Sequence, residues 1–157
     1  MLKVITISII LLLSYSYISA ESIKPDTETL TKKRKKTLSG KKLVVFISSS
    51  DLQKAGMGFG IALSGVKQGA SVTIVIGADA VKFALKDNEQ NIYFAKERTP
   101  RELLLEAIKS GATVQMCSAN TEQMGLDEDD FIKGVKVVIS TEIFAKVFEK
   151  ETKVISF

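Results

Sequence analysis

The sequence has no histidine, no tryptophan and a single cysteine, Cys117. Without histidine the chain cannot form Ser-His-Asp or Cys-His catalytic groups, imidazole zinc sites or histidine proton shuttles. One cysteine excludes an intramolecular disulfide, a CxxC redox pair and a cysteine-ligated iron–sulfur cluster. These absences leave Cys117 as the one candidate reactive group.

We expect neither a cofactor nor a bound metal. The acidic run at residues 127–130 lacks the alternating ligands and the turn glycine of a calcium-binding EF-hand loop. The glycines at positions 56, 58 and 60 lack the third glycine of a GxGxxG motif and do not follow a strand directly. We interpret them as residues that let the first helix begin close to the sheet.

The positive charge is concentrated near the start of the chain. The net charge is +4, and basic residues cluster from Lys32 to Lys42. From Leu43 to Phe157 there are 13 Lys and Arg against 15 Asp and Glu. A nucleic-acid-binding domain would carry its basic residues in the folded part, so we expect no nucleic-acid partner.

Residues 1–20 have the pattern of a secretory signal peptide. Lys3 provides the positive start, residues 4–13 are mostly apolar, and cleavage would follow Ala20. Such a protein would be exported to the periplasm. Ile18 stands at position −3 relative to this cleavage point, where a smaller residue is usual. The alternative is therefore an uncleaved segment that anchors the chain to the membrane.

Residues 21–41 have the composition of a basic, polar linker. They contain few apolar residues and cannot bury enough surface to fold alone. We interpret the charges from Lys32 to Lys42 as a solvated tether, with weak contact to anionic lipid headgroups as the alternative.

From residue 42 onward, apolar segments alternate with helical patterns. Strands are predicted at residues 43–47, 72–76, 113–117, 135–139 and 153–157. Helices are predicted from residue 52 to Gly69, around 80–85, from Pro100 to Gly111, from 127 to 134, and after a cap at Ser140 or Thr141. Thr99 and Glu102 form the pattern of a capping box at the start of the helix at Pro100. This alternation predicts one α/β domain at residues 42–157, a three-layer α/β/α sandwich with a five-stranded, mainly parallel sheet.

Small polar residues follow the predicted strands. In sheets of this kind, ligands and reactive groups gather beyond the carboxyl ends of the strands. Cys117 ends the third strand, where backbone N–H groups of a following helix would favour a thiolate. The candidate site comprises Cys117 as the catalytic residue and, as binding residues, Ser48, Asp51, Ser118 and Asn120.

A cysteine at the end of an apolar strand is also a common small core residue. In an exported protein, however, an unpaired cysteine is unusual and suggests a reactive or intermolecular thiol. Composition and spacing leave both interpretations of Cys117 open.

Residues 111–117, followed by Met124-Gly125-Leu126, resemble the cysteine segment of the DsrE/DsrF-like (DsrEFH-like) family. In that family a strand leads into a cysteine, and Met-Gly-Ile or Met-Gly-Leu follows at a similar spacing. The last helix and strand are also similar, and the resemblance covers roughly residues 42–157. The best-understood sulfur-relay members are cytoplasmic, whereas this chain resembles an exported member.

The resemblance implies a parallel α/β fold that forms homo-oligomers, often trimers or hexamers. It also implies a sulfur relay, in which the residue matching Cys117 accepts a sulfur atom as a persulfide and passes it to a partner thiol. The implied partners are sulfur donor and acceptor proteins or small sulfur compounds.

Three hypotheses follow. The first is a periplasmic sulfur carrier, similar to a sulfurtransferase, with a persulfide on Cys117; it needs no second cysteine because the acceptor's thiol makes the second attack. The second is a non-catalytic, oligomeric binding module with a structural cysteine. The third is a nucleotide or flavin binder, supported by the polar loop at residues 48–51.

Overall fold

The protein is described here by a computed structural model that covers residues 37–88 and 98–157. The predicted signal peptide, residues 1–20, and most of the predicted linker lie outside the described residues. The division of the chain into signal peptide, linker and domain therefore stays a prediction.

Five strands and four α-helices form the described part of the domain. The strands are β1 (Lys42–Ile47), β2 (Ser71–Ile76), β3 (Thr113–Cys117), β4 (Val135–Val138) and β5 (Thr152–Ser156). The helices are α1 (Leu52–Lys67), α2 (Pro100–Lys109), α3 (Ser118–Met124) and α4 (Ser140–Val147), with 3-10 helices at Ala78–Phe83 and Glu128–Asp130.

The five strands form one sheet in the order β4-β3-β2-β1-β5, and every neighbouring pair is parallel. The predicted five-stranded α/β fold is confirmed. Because all strands run the same way, their amino ends meet at one edge of the sheet and their carboxyl ends at the other. We call these the amino edge and the carboxyl edge.

The two faces of the sheet are covered by different helices. Side chains alternate between the faces along each strand, so Val45 and Val44 belong to separate buried clusters. The larger cluster includes Phe59 of α1 and Leu104 of α2. The smaller cluster lies on the opposite face and includes Ile143 of α4. The layers are therefore α/β/α.

Local capping explains where the two longer helices begin. Asp51 Oδ1 accepts hydrogen bonds from the N–H groups of Gln53 and Lys54, at 3.0 and 2.9 Å, and so caps α1. Thr99 Oγ1 accepts from Glu102 N at 3.0 Å, and Glu102 Oε2 accepts from Thr99 N at 2.7 Å. This is the reciprocal capping predicted from the sequence of α2.

The glycines of α1 include one close approach to the sheet. A Cβ atom at Gly58 would lie 3.0 Å from both Ile47 Cδ1 and Phe157 Cδ2. The space therefore admits a glycine and crowds any larger residue, in agreement with the packing interpretation of this segment.

The prediction of a helix from residue 127 to 134 is wrong. Residues Glu128–Asp130 form one 3-10 turn, which Asp127 closes by accepting from Asp129 N at 2.8 Å. Beyond the turn, Ile132 N donates to Ala84 O at 2.8 Å, which holds the chain extended against a distant segment. The α-helix of this region is α3, which ends at Gly125 with φ +69°.

The start of α4 also differs from the prediction. Its N-cap is Ile139, which makes no side-chain capping bond, rather than Ser140 or Thr141. As a result β4 ends at Val138, one residue earlier than expected.

Candidate functional site

A cleft of about 280 Å³ opens at the carboxyl edge beside α4. Its lining comes from residues 46–48, residues 75–78, Cys117, Asn120, and three residues of α4, Ser140, Ile143 and Phe144. Most of this surface is apolar. The cleft thus lies where the topology of a parallel sheet directs ligands.

Cys117 is the last residue of β3 and the N-cap residue of α3. The prediction that it lies at a strand-to-helix turn is confirmed. Its thiol is free and the residue is half-buried. One side of Cys117 packs against the smaller core cluster, and it also lines the cleft. The residue therefore has both a packing contact and an open side.

Asn120 shapes the cleft from the first turn of α3. Its Oδ1 accepts a hydrogen bond from Ala78 N at 3.2 Å, and its Nδ2 lies 3.8 Å from Met124 Sδ. Ala78 has a φ of +45°, in the left-handed region. The Asn120 side chain therefore joins the strained loop after β2 to the helix that follows Cys117.

Ser48 lines the same cleft, and its Oγ donates to Phe157 O at 3.2 Å. The other two predicted binding residues, Asp51 and Ser118, are not part of the lining. Asp51 caps α1, and the carbonyl oxygen of Ser118 accepts from Thr121 Oγ1 at 3.0 Å. The structure thus brings Ser48 and Asn120 to the cleft with Cys117 and leaves Asp51 and Ser118 outside it.

The prediction missed the apolar lining, of which Phe46, Val75 and Phe144 are examples. A signal existed for the two strand residues. Phe46 and Val75 each stand two positions before a cleft residue at the end of their strand, and residues two apart on a strand share a face.

The cleft is nearly free of charge. Cys117 is the one titratable residue in its lining. Within the described ranges, no group of three or more cysteine, aspartate or glutamate side chains is arranged to hold a metal ion. None of the described helices is long and apolar enough to cross a membrane.

The polar loop at residues 48–51 was the support for nucleotide or flavin binding. Asp51 in that loop is occupied as the α1 cap, and Ser49 Oγ accepts from Asp51 N at 3.1 Å. These groups stabilise the turn itself.

The model of the DsrE/DsrF-like family matches residues 41–157. The described parallel α/β domain therefore falls in a defined class of proteins. This chain is a member of the DsrE/DsrF-like family, as the cysteine segment predicted. It is also 34% identical over 95 residues to an uncharacterized protein of Methanocaldococcus jannaschii, a match that covers 59% of this chain and 78% of the relative.

Solved structures show the same fold. The ychN protein from E. coli matches with a TM-score of 0.64 at 16% identity, covering 74% of this chain and 99% of that one. A protein of unknown function from Methanobacterium thermoautotrophicum matches with a TM-score of 0.54 at 18% identity, covering 74% and 99% of the two chains. At these identities the likeness concerns the fold.

Proposed function

We propose that this protein is a sulfur carrier that holds one sulfur atom as a persulfide on Cys117. The observation that carries the proposal is the position of the free thiol, which lines an apolar cleft at the carboxyl edge of the sheet. Membership of the DsrE/DsrF-like family supports a sulfur-related role.

The chemistry needs one thiol in the carrier and no external oxidant. The Cys117 thiolate attacks the outer sulfur of a donor persulfide, forming a new S–S bond as the donor's S–S bond breaks and its thiolate leaves. An acceptor thiolate then attacks the outer sulfur on Cys117, which leaves in turn as a thiolate. Each step moves one sulfur atom and leaves the total oxidation state unchanged.

The cleft suits a persulfide in size and polarity. The outer sulfur would lie about 2.05 Å beyond Sγ, which a cleft of about 280 Å³ accommodates. Its apolar walls, including Ile143 and Phe144, suit a polarizable sulfur atom. Thiosulfate is always a dianion and would lose its hydration there without meeting a cation, which is costly, whereas a persulfide can enter in its neutral, protonated form. We therefore expect a persulfide donor to react better than an inorganic anion such as thiosulfate.

The thiol reaction can be tested directly. The purified chain is treated with a low-molecular-weight persulfide, and its intact mass is measured before and after addition of a reducing thiol. The parent chain should gain the mass of one sulfur atom and lose it on reduction. Cys117→Ser should gain nothing, whereas Ser118→Ala, beside the site but outside the cleft, should behave as the parent. No adduct on the parent, or the same adduct on Cys117→Ser, contradicts the proposal.

We also infer that the mature chain acts in the periplasm. The support is the sequence pattern of residues 1–20, with cleavage after Ala20. Cell fractionation should find the protein in the periplasm, with Glu21 as its first residue. A chain that retains residue 1 and sediments with membranes would instead be anchored.

We further infer that the protein forms a homo-oligomer. The support is the apolar surface that α4 leaves exposed, formed by Phe144 and Phe148, whose ring centroids lie 6.3 Å apart. Contiguous apolar surface of this kind is typical of an interface between subunits.

One observation favours the second hypothesis, a non-catalytic binding module. Cys117 packs against the buried cluster of Val44, Val75 and Val138, as a structural cysteine would. The rate of alkylation separates the two functions. A reactive site should be alkylated in the native protein at a rate near that of the unfolded chain. Strong protection in the native state would favour the structural role.

A further inference from the structure

The two edges of the sheet carry opposite charge. Each of the five strands has a lysine within the four residues that precede it: Lys41, Lys67, Lys109, Lys133 and Lys150. The same stretches contain two acidic residues, Glu149 and Glu151. Within the four residues that follow β1, β2, β3 and β4 stand Asp51, Asp79 and Glu142, with no lysine or arginine. The amino edge is therefore basic, and the edge with Cys117 is acidic.

A second cleft, of about 490 Å³, lies at the amino edge. Its apolar part is formed by Leu38, Leu43 and Ala70, and its charged part by Lys41, Lys42, Glu151 and Lys153. Apolar side chains and ammonium groups that line one cleft resemble the arrangement in which lysines meet a lipid surface. Their aliphatic stems contact the acyl boundary, and their charged ends reach the phosphates.

The carboxylates at this edge neutralise part of the charge. Lys42 Nζ lies 2.8 Å from Glu149 Oε1, and Lys41 Nζ lies 4.0 Å from Glu151 Oε2. Within the described ranges, Lys150 and Lys153 have no carboxylate partner, and both are exposed. Two uncompensated positive charges therefore remain beside the cleft.

The polypeptide enters the domain at the same edge. Leu38 N donates to Gln68 O at 3.1 Å, and Thr37 Oγ1 donates to Gln68 Oε1 at 3.2 Å, which fixes the start of the described chain beside the cleft. The basic run that ends at Lys36 precedes Thr37 directly in the sequence, and the apolar residues 4–13 precede that run. The amino-terminal segment is thus joined to the domain at its basic edge.

We propose that the amino edge docks on the surface of an anionic lipid bilayer, through Lys41, Lys42, Lys150 and Lys153. The opposite charge of the carboxyl edge opposes the reverse orientation, with that edge on the bilayer. In this pose the cleft of Cys117 faces away from the bilayer. The docking surface is the folded domain itself, in addition to the basic tether, and it does not depend on the chemistry of Cys117.

Vesicle binding tests the docking. The mature chain, which begins at Glu21, is titrated with vesicles of phosphatidylcholine alone and with vesicles that also contain phosphatidylglycerol. The ratio of the two affinities measures the contribution of the anionic lipid. The parent chain should prefer the anionic vesicles, and added salt should reduce that preference. Lys150→Gln/Lys153→Gln should weaken binding to the anionic vesicles by about five-fold per lysine removed.

Matched variants separate the folded surface from the tether. Lys54→Gln/Lys136→Gln removes the same charge from exposed positions outside the amino edge and should bind as the parent does. Replacing Lys32, Lys33, Arg34, Lys35 and Lys36 by glutamine should leave a residual preference for anionic vesicles. If that preference vanishes, or if Lys150→Gln/Lys153→Gln binds as the parent does, the tether alone makes the contact and the proposal is overturned.

A soluble competitor distinguishes a bilayer from a free phosphate group. Glycerol phosphate carries the charge of the lipid headgroup but forms no surface. Added to the bound chain, it should displace no more protein from the anionic vesicles than a simple salt of the same ionic strength does. Complete displacement by glycerol phosphate would identify a site for a free phosphate ester and would overturn bilayer docking.

Discussion

Gly134 stands directly before β4, where the backbone and a neighbouring side chain both require a glycine. Its φ is +100°, in the region that L-residues rarely adopt, and a Cβ atom would lie 2.7 Å from Ile108 Cγ2 of α2. Gly111 has a similar φ of +105° before β3, but no atom lies within 4 Å of the position of its Cβ. The same substitution at both positions therefore distinguishes the cost of the positive φ, which the two share, from the cost of steric crowding, which applies at Gly134.

We expect Gly134→Ala to destabilise the protein more than Gly111→Ala. Both variants would lose about 1–2 kcal/mol through the unfavourable φ. Gly134→Ala would also have to displace the side chain of Ile108. The free energy of unfolding in urea measures both changes. Equal losses in the two variants would mean that Ile108 moves aside without cost.

At the residue scale, sequence patterns predicted features that depend on neighbours along the chain. The capping of α2 by Thr99 and the position of Cys117 at the end of β3 are examples. The bond from Ala78 N to Asn120 spans 42 residues, and no local pattern specifies it. Asp51 was predicted as a binding residue because it is polar and follows a strand. Its carboxylate instead caps the following helix, α1.

Glu106 connects three parts of the structure on the α1 and α2 side of the sheet. Its carboxylate accepts hydrogen bonds from Lys67 at the end of α1 and from Arg98 before α2. These two bonds, that from Lys67 above all, hold the pKa of Glu106 below its ordinary value. The charged form is therefore favoured in the folded protein.

Glu106→Gln should lower stability at neutral pH, because the folded state then loses a carboxylate that it favours. A carboxyl with a lowered pKa contributes stability above its unfolded pKa and loses it as the pH falls through the folded value. The difference in the free energy of unfolding between variant and parent should thus be largest at pH 7 and should shrink as the pH falls below about 4.5.

Urea unfolding at several pH values measures this difference. We expect it to be modest, since the carboxylate is accessible to solvent. Glu122→Gln is a suitable control, because Glu122 has no ion-pair partner among the described residues. A difference in the free energy of unfolding that stays constant into acid pH would show that the charge of the Glu106 carboxylate is not its source.

At the scale of elements, periodicity predicted the five strands well because each buries apolar side chains. It failed for residues 127–134, where acidic residues suggested the start of a helix. The competing interactions come from a distant segment, in which Leu85 pairs with Phe131 in an isolated bridge and Ala84 O accepts from Ile132 N. Such contacts between remote segments override a local preference for helix.

At the scale of the whole molecule, the parallel topology followed from the alternation of strands and helices. The alternation did not predict that the helices cover the two faces of the sheet to different extents. The larger buried cluster packs beneath α1 and α2, whereas α4 leaves Phe144 and Phe148 exposed by 55% and 81%. Both phenylalanines fit the helical pattern of α4 and its C-cap, so no sequence pattern separates them from the buried residue Ile143.

The proposed homo-oligomer predicts that this exposed surface is covered in solution. The rings of Phe144 and Phe148 lie 6.3 Å apart between centroids, and together they form an apolar ridge on α4. Phe148→Ser removes the more exposed ring and costs the isolated chain little, because that ring already contacts solvent. We therefore expect thermal stability of the separated chain to change little and the assembly to weaken.

Sedimentation equilibrium over a range of protein concentrations measures that change. The parent chain should have the mass of an oligomer, and Phe148→Ser should shift the equilibrium toward the monomer. Leu105→Ser is the matched control, since Leu105 is an exposed apolar residue of α2 on the opposite side of the sheet, with 44% of its surface accessible. A monomeric parent chain, or equal dissociation by both variants, would exclude the α4 ridge as the subunit interface. Dissociation by Phe148→Ser alone would assign the interface to the same face of the sheet as Cys117.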